Sequence, residues 1–214
     1  MLVNFVKKQL YSIRVPRRLS LRRLRAINRL LDGYLLESHH GRKRILDVGC
    51  SRGKDLVQFL EGRDDLEITG IDLKDYGLRQ HNFRMVVGDA TDIPYPDLHF
   101  DITLSIGVLE HIHPIEKLAR VAREIDRVSK SYVVIIPSIN TFVEPHIARL
   151  LWQLRNRNTK PIYPGTLIYM SDESWLALRG FRHAKSYRYG HIPLLVNNLV
   201  VYKPPTRPSV PGDA

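Results

Sequence analysis

Three aspartates close three short apolar runs, each within two residues of a glycine: Asp47 in "ILDVG", Asp72 in "ITGID" and Asp89 in "VVGD". The first run leads into Gly49-Cys50-Ser51-Arg52-Gly53 and then a helix-like segment. A glycine-rich turn that opens a helix aims backbone N–H groups and the helix dipole at an anionic ligand group. Asp72 follows Gly49 by 23 residues, where a carboxylate at a strand end accepts hydrogen bonds from ribose hydroxyls. Asp89 is placed to take a hydrogen bond from an exocyclic amine. Each also has a purely structural alternative: Asp47 as a turn cap, Asp72 as a loop acid, Asp89 as a helix cap. The Gly-x-Gly-x-x-Gly spacing of nicotinamide sites is absent. Histidines able to act as a base are His111, His113, His146 and His191; a base is useful where the acceptor is a hydroxyl or an acidic carbon.

Cys50 is the only cysteine. It excludes an internal disulfide framework and a cysteine-based zinc cluster, and it points to a reducing, hence cytoplasmic, setting. The longest apolar run, "YVVIIP" at 132–137, has strand length and falls far short of the roughly 18–20 residues that span a bilayer.

These residues need elements to position them. "RILDVG" (44–49), "LEITGID" (66–72), "FRMVVGD" (83–89), "FDITLSIG" (100–107) and "SYVVIIPS" (131–138) read as strands. Several are nearly continuous apolar runs, as in parallel sheets covered on both faces. Residues 54–62 and 115–129 read as helices, the latter with Leu118, Val121, Ala122, Ile125 and Val128 on one face, and 74–81 as a short helix or turn. Alternating strands and helices predict a doubly wound α/β domain. Beyond it, 144–154 reads as an amphipathic helix, 155–166 as a loop and 171–181 as a helix capped by Ser171. Two further strands are expected at 182–190 and 194–202, and the Pro-rich 204–214 reads as a disordered tail.

The charge is uneven. Residues 1–44 hold 12 basic side chains against Asp32 and Glu37, a net +10, whereas the rest of the chain nets +1. Leu21, Leu24, Ile27, Leu31 and Leu35 recur at helical spacing among the arginines. The organisation expected is a basic N-terminal arm and helix (1–43), an α/β domain (44–203) and a tail (204–214). The basic arm points to an anionic partner: a phospholipid surface, nucleic acid or a phosphorylated substrate. The alternative is a solvated basic helix.

Taken in order, "ILDVGCSRG", "GID" and "GDATDIPYPDLHFDITLSIGVLEHI" resemble the class I S-adenosylmethionine-dependent methyltransferases. The likeness is to the small-molecule, type 11-like branch related to the quinone-biosynthesis C-methyltransferases, and it covers about 44–138. It implies a Rossmann-like seven-stranded sheet whose last strand is antiparallel. It also implies S-adenosylmethionine as cofactor. Asp47 would hold the glycine turn, with Gly49, Cys50, Ser51 and Gly53 close to the methionine part. Asp72 would bind the ribose hydroxyls, and Leu73 would pack on adenine. Asp89 would meet the adenine amine, and the Ala90 backbone a ring nitrogen. Ile106 to Glu110 would line the methyl-transfer face. The family's middle glycine is replaced by Ser51, followed by Arg52. Serine tolerates a tight turn unless φ is positive or the ligand touches the backbone, so this reads as local variation rather than a defect.

The acceptor is less legible. Asn140, Phe142, Glu144 and His146 in "PSINTFVEPHIARLLWQL" resemble a stretch of bacterial methyltransferases associated with surface glycans or lipids. His146, with Glu144 beside it, and His111 are the candidate catalytic residues. No metal is expected. The acceptor expected is a small molecule or a lipid- or glycan-linked group, with the basic arm allowing peripheral attachment to an anionic membrane. The rival is ribose methylation of RNA through that arm. "SIGVLEH" lacks the (D/N/S)PP(Y/F/W) of base-amino methylases, and the sole cysteine excludes a cysteine-nucleophile base methylase. A third reading is a non-catalytic partner protein that binds the cofactor.

Overall fold

The computed structural model describes residues 42–51, 64–77, 82–140, 143–144, 149–150, 167–192 and 196–204. The expected N-terminal basic helix, the first helix at 54–62, the loop at 155–166 and the tail from 205 onward lie outside the described residues.

Seven strands form one sheet: β1 (Lys43–Val48), β2 (Leu66–Asp72), β3 (Phe83–Val87), β4 (Phe100–Ile106), β5 (Ser129–Pro137), β8 (Lys185–Ile192) and β9 (Val196–Lys203). Their order is β3-β2-β1-β4-β5-β9-β8. The β1–β2, β2–β3, β1–β4 and β4–β5 pairs are parallel. β9 runs antiparallel to both β5 and β8. The seven-stranded sheet with an antiparallel last strand is therefore as expected. The reversal of order beside β1 puts the carboxyl ends of β1 and β4 at a topological switch point, where open α/β sheets bind ligands.

Both faces of the sheet are buried, which is why its strands read as unbroken apolar runs. On β5, Tyr132, Val134 and Ile136 join one core with Leu46, Val48 and Val201. Val133 and Ile135 join the other with Ile45, Ile68, Leu104 and Val200. This is the two-residue alternation of a strand, with apolar residues supplied to both sides. Helix α1 (Ile115–Val128) buries Leu118, Val121, Ala122, Ile125 and Val128, the face its periodicity predicts.

Two expected helices differ. The segment 171–181 splits into α2 (Asp172–Leu176), capped by Ser171 as expected, and a 3-10 turn (Arg179–Phe181). Leu178 is extended at ψ 132. The break lets Gly180 press onto α1: a Cβ there would lie 2.0 Å from the Ala122 carbonyl oxygen. The expected helix at 144–154 also fails. Instead β6 (Val143–Glu144) and β7 (Arg149–Leu150) pair antiparallel, Val143 with Leu150 and Glu144 with Arg149. Pro145 follows Glu144, and a residue before proline is pushed out of the helical region.

Candidate functional site

A cavity of about 510 Å³ opens at the carboxyl ends of the parallel strands, within the usual range for small-molecule sites. Val48 and Gly49 follow β1 into it. Ile71, Asp72, Leu73 and Tyr76 come from the end of β2, and Gly88, Asp89 and Ala90 from the end of β3. Gly107, Val108 and His111 come from the segment after β4, and Lys117 and Val121 from α1.

The turn after β1 is locked by its own hydrogen bonds. The Gly49 and Cys50 N–H groups donate to the Ile71 carbonyl at 2.8 and 3.3 Å. The Ser51 N–H donates to Asp72 Oδ2 at 2.9 Å. These three donors serve the fold. Gly49 has φ 75, and a Cβ on it would lie 2.5 Å from Val108 Cγ2. The glycine thus permits both the backbone shape and the close approach of the segment after β4. Ser51 has φ 46, a left-handed conformation that is costly for any residue with a Cβ. A turn that wants glycine has therefore accepted serine.

Asp89 is fixed at both oxygens. Oδ1 accepts the Thr91 N–H at 3.0 Å, and Oδ2 pairs with Lys117 Nζ at 2.9 Å. Lys117 first, and the Thr91 N–H second, hold its carboxyl below the ordinary carboxylate range. The 65% exposure of Leu73 is that of an apolar side chain presented on a ligand-sized cavity wall. Tyr76, 40% exposed, lies beside it in a turn where the Gly77 N–H donates to Asp75 Oδ1. Below the cavity, Glu124 and Arg127 of α1 clasp the loop at 93–97. Glu124 Oε2 accepts the Ile93 N–H at 2.8 Å, and Arg127 donates to the Ile93 and Tyr95 carbonyls at 2.9 and 2.8 Å.

Residues 46–136 match the family described as "Methyltransferase domain". This segment is a class I, S-adenosylmethionine-dependent methyltransferase domain. The chain is 28% identical over 110 residues to 27-O-demethylrifamycin SV methyltransferase of Amycolatopsis mediterranei, covering 44% of this chain and 40% of that protein. It is 34% identical over 93 residues to fatty-acid O-methyltransferase of Mycolicibacterium smegmatis, covering 38% and 34%. The chain thus spans less than half the length of these relatives. Its fold resembles that of Burkholderia thailandensis 1,6-didemethyltoxoflavin-N1-methyltransferase, with TM-score 0.59, 17% identity, and 94% and 84% of the two chains covered. That structure holds 1,6-didemethyltoxoflavin and S-adenosylhomocysteine.

Of the residues picked out in the sequence, the methyltransferase domain brings Gly49, Asp72, Leu73, Asp89, Ala90, His111 and His113 onto one cavity wall. Asp47 and Cys50 are buried, 8% and 6% exposed, and Ser51 is exposed. None of these three is among the cavity-lining residues. Burial, with Asp47 and Asp72 nearby, pushes the Cys50 thiol up to about 12, so at neutral pH it carries its proton and is no nucleophile. Ile106 and Glu110 also stand off the wall, where Gly107 and Val108 take the expected place. Glu110 is 1% exposed, and its carbonyl accepts the Ile168 N–H at 2.7 Å. Wall residues that the sequence did not single out as a site include Tyr76, Ile112 and Lys117. Tyr76 carried a faint signal, an aromatic in the polar run "DLKDYG" just past Asp72. Gly53 and His146 lie outside the described residues, as does the Glu144 side chain. Among the described residues no group of three or more His, Cys, Asp or Glu is arranged to hold a metal, and no helix is long and apolar enough to cross a membrane.

Proposed function

We propose that the chain transfers a methyl group from S-adenosylmethionine to a small-molecule acceptor. The observation that carries this reading is the pair of carboxylates Asp72 and Asp89, set at the ends of adjacent parallel strands on one cavity wall with the exposed Leu73 between strand and solvent. This donor set fits the cofactor. Asp72 commits Oδ2 to the Ser51 N–H, and its remaining acceptor sites suit the two ribose hydroxyls. Leu73 and Tyr76 suit the adenine face, Asp89 the adenine amine and the Ala90 backbone a ring nitrogen. The bound cofactor supplies an electrophilic methyl group on a sulfonium.

The protein's part is alignment of the acceptor and exclusion of water. His111 stands on the wall beside Val108 and is our candidate to take a proton from a hydroxyl or acidic-carbon acceptor. His146, with Glu144 two residues before it in the chain, is proposed as a further base or acceptor-positioning group.

A lipid- or glycan-linked group is proposed beside a free small molecule as the acceptor. One relative is by name a fatty-acid O-methyltransferase, and the net +10 of residues 1–44 suits an anionic surface. The deciding experiment is transfer of labelled methyl from the donor into fractionated host extract. Label in a lipid, glycan or small-metabolite fraction supports the proposal. Label in RNA moves the assignment to ribose methylation through the basic arm. Tight binding of S-adenosylhomocysteine with no labelled fraction leaves a non-catalytic binding partner.

A further inference from the structure

Lys117 is in the first turn of α1, where the positive end of the helix dipole disfavours a cation and favours an acid. The helix therefore gives no reason for a lysine there. The cavity does: Nζ lies 2.9 Å from Asp89 Oδ2, and both residues are on the wall. The two side chains are 40% and 42% exposed, and an ion pair that open to water contributes little to stability. Its effect is on geometry. Thr91 N–H holds one oxygen of Asp89 and Lys117 holds the other, so one rotation of the carboxylate about its last bond is favoured. The acceptor sites left over keep one direction.

We propose that Lys117 is a positioning residue for the adenine end of the cofactor, acting through Asp89. It fixes the carboxylate that receives the adenine amine in the orientation that can accept it. The inference rests on the cofactor reading above, and it adds a residue 28 positions away in the chain and on a different element. The depressed titration of Asp89, led by Lys117, agrees with this arrangement.

The test is calorimetric titration of the full chain with S-adenosylhomocysteine, with thermal melts in parallel. The variants are K117M, K117R, D89N and the double variant D89N/K117M. K117M is expected to weaken binding about tenfold with an unchanged melt. K117R is expected to stay within about threefold of the unmodified chain, because it restores the cation. In the D89N background, K117M is expected to add no loss, since a residue acting through Asp89 has nothing left to act on. Unchanged affinity in K117M, or the same fold-loss with and without the Asp89 carboxylate, overturns the proposal. If D89N alone abolishes measurable binding, the K117R result decides: no rescue overturns it. A silent titration of the unmodified chain would instead refute the cofactor reading itself.

Discussion

The backbone N–H of Ser51 donates to the carboxylate of Asp72 at 2.9 Å, tying the turn after β1 to the end of β2. The bond is made while Ser51 sits at φ 46. Asp72, the acid proposed for the ribose, therefore also holds the glycine-rich turn, at the cost of a strained serine. The unusual residue is not a defect in the site, because the contact it makes uses its backbone.

Substituting Ser51 tests this directly. Glycine relieves a left-handed strain of about 1–2 kcal/mol and gives back about 0.4–1 kcal/mol through unfolded-state entropy. Ser51→Gly should thus raise Tm slightly, at about 2–4 °C per kcal/mol for a chain of this size. Ser51→Val, β-branched at positive φ, should lower it. Equal Tm for the two variants would contradict the strained turn.

Gly180 gives the second prediction. A Cβ there meets the Ala122 carbonyl carbon and oxygen at 2.2 and 2.0 Å, and backbone of a buried helix cannot swing aside. Gly180→Ala should cost roughly 1–3 kcal/mol as an overpacked contact, read as a fall in Tm. An unchanged Tm would mean that the 3-10 turn does not press on α1.

The third concerns acid. Arg127 first, then the Ile93 N–H, hold the Glu124 carboxyl below its ordinary value of 4.5, against an opposing push from burial. The folded state favours the ionised form, so this stabilisation is present above pH 4.5 and is lost as pH falls through the lower folded value. Glu124→Gln should be less stable at pH 7 by up to about 1.5–3 kcal/mol, the net strength of a hydrogen bond to a charged group. It should also lose less on acidification than the unmodified chain. Parallel stability curves below pH 4.5 would refute the linkage.

Much of this was legible in the sequence for identifiable reasons. The sheet announces itself because apolar runs such as "YVVIIP" must be buried on both faces, and α1 because its five buried residues recur at helical spacing. Asp72 and Asp89 are legible because strand ends fix them relative to the switch point. The break at Leu178 is not, since it depends on Gly180 meeting Ala122 across the fold. The helix expected at 144–154 followed amphipathic spacing, which says nothing of the pairing of Arg149 and Leu150 with Glu144 and Val143. Lys117 is invisible for the same reason as Gly180: its partner, Asp89, comes near only after β3 and α1 are placed. Glu110 was read as wall because of its motif, whereas the chain turns it into the interior and exposes Gly107 and Val108 instead.

The central claim is that the cavity at the ends of β1, β2 and β4 binds S-adenosylmethionine through Asp72. Its most direct test is calorimetric titration of the purified chain with S-adenosylhomocysteine, beside Asp72→Ala. The account predicts one site per chain, with affinity falling at least about tenfold in the variant as charged hydrogen bonds to the ribose are lost. No binding by the unmodified chain, or equal affinity in Asp72→Ala, would contradict it.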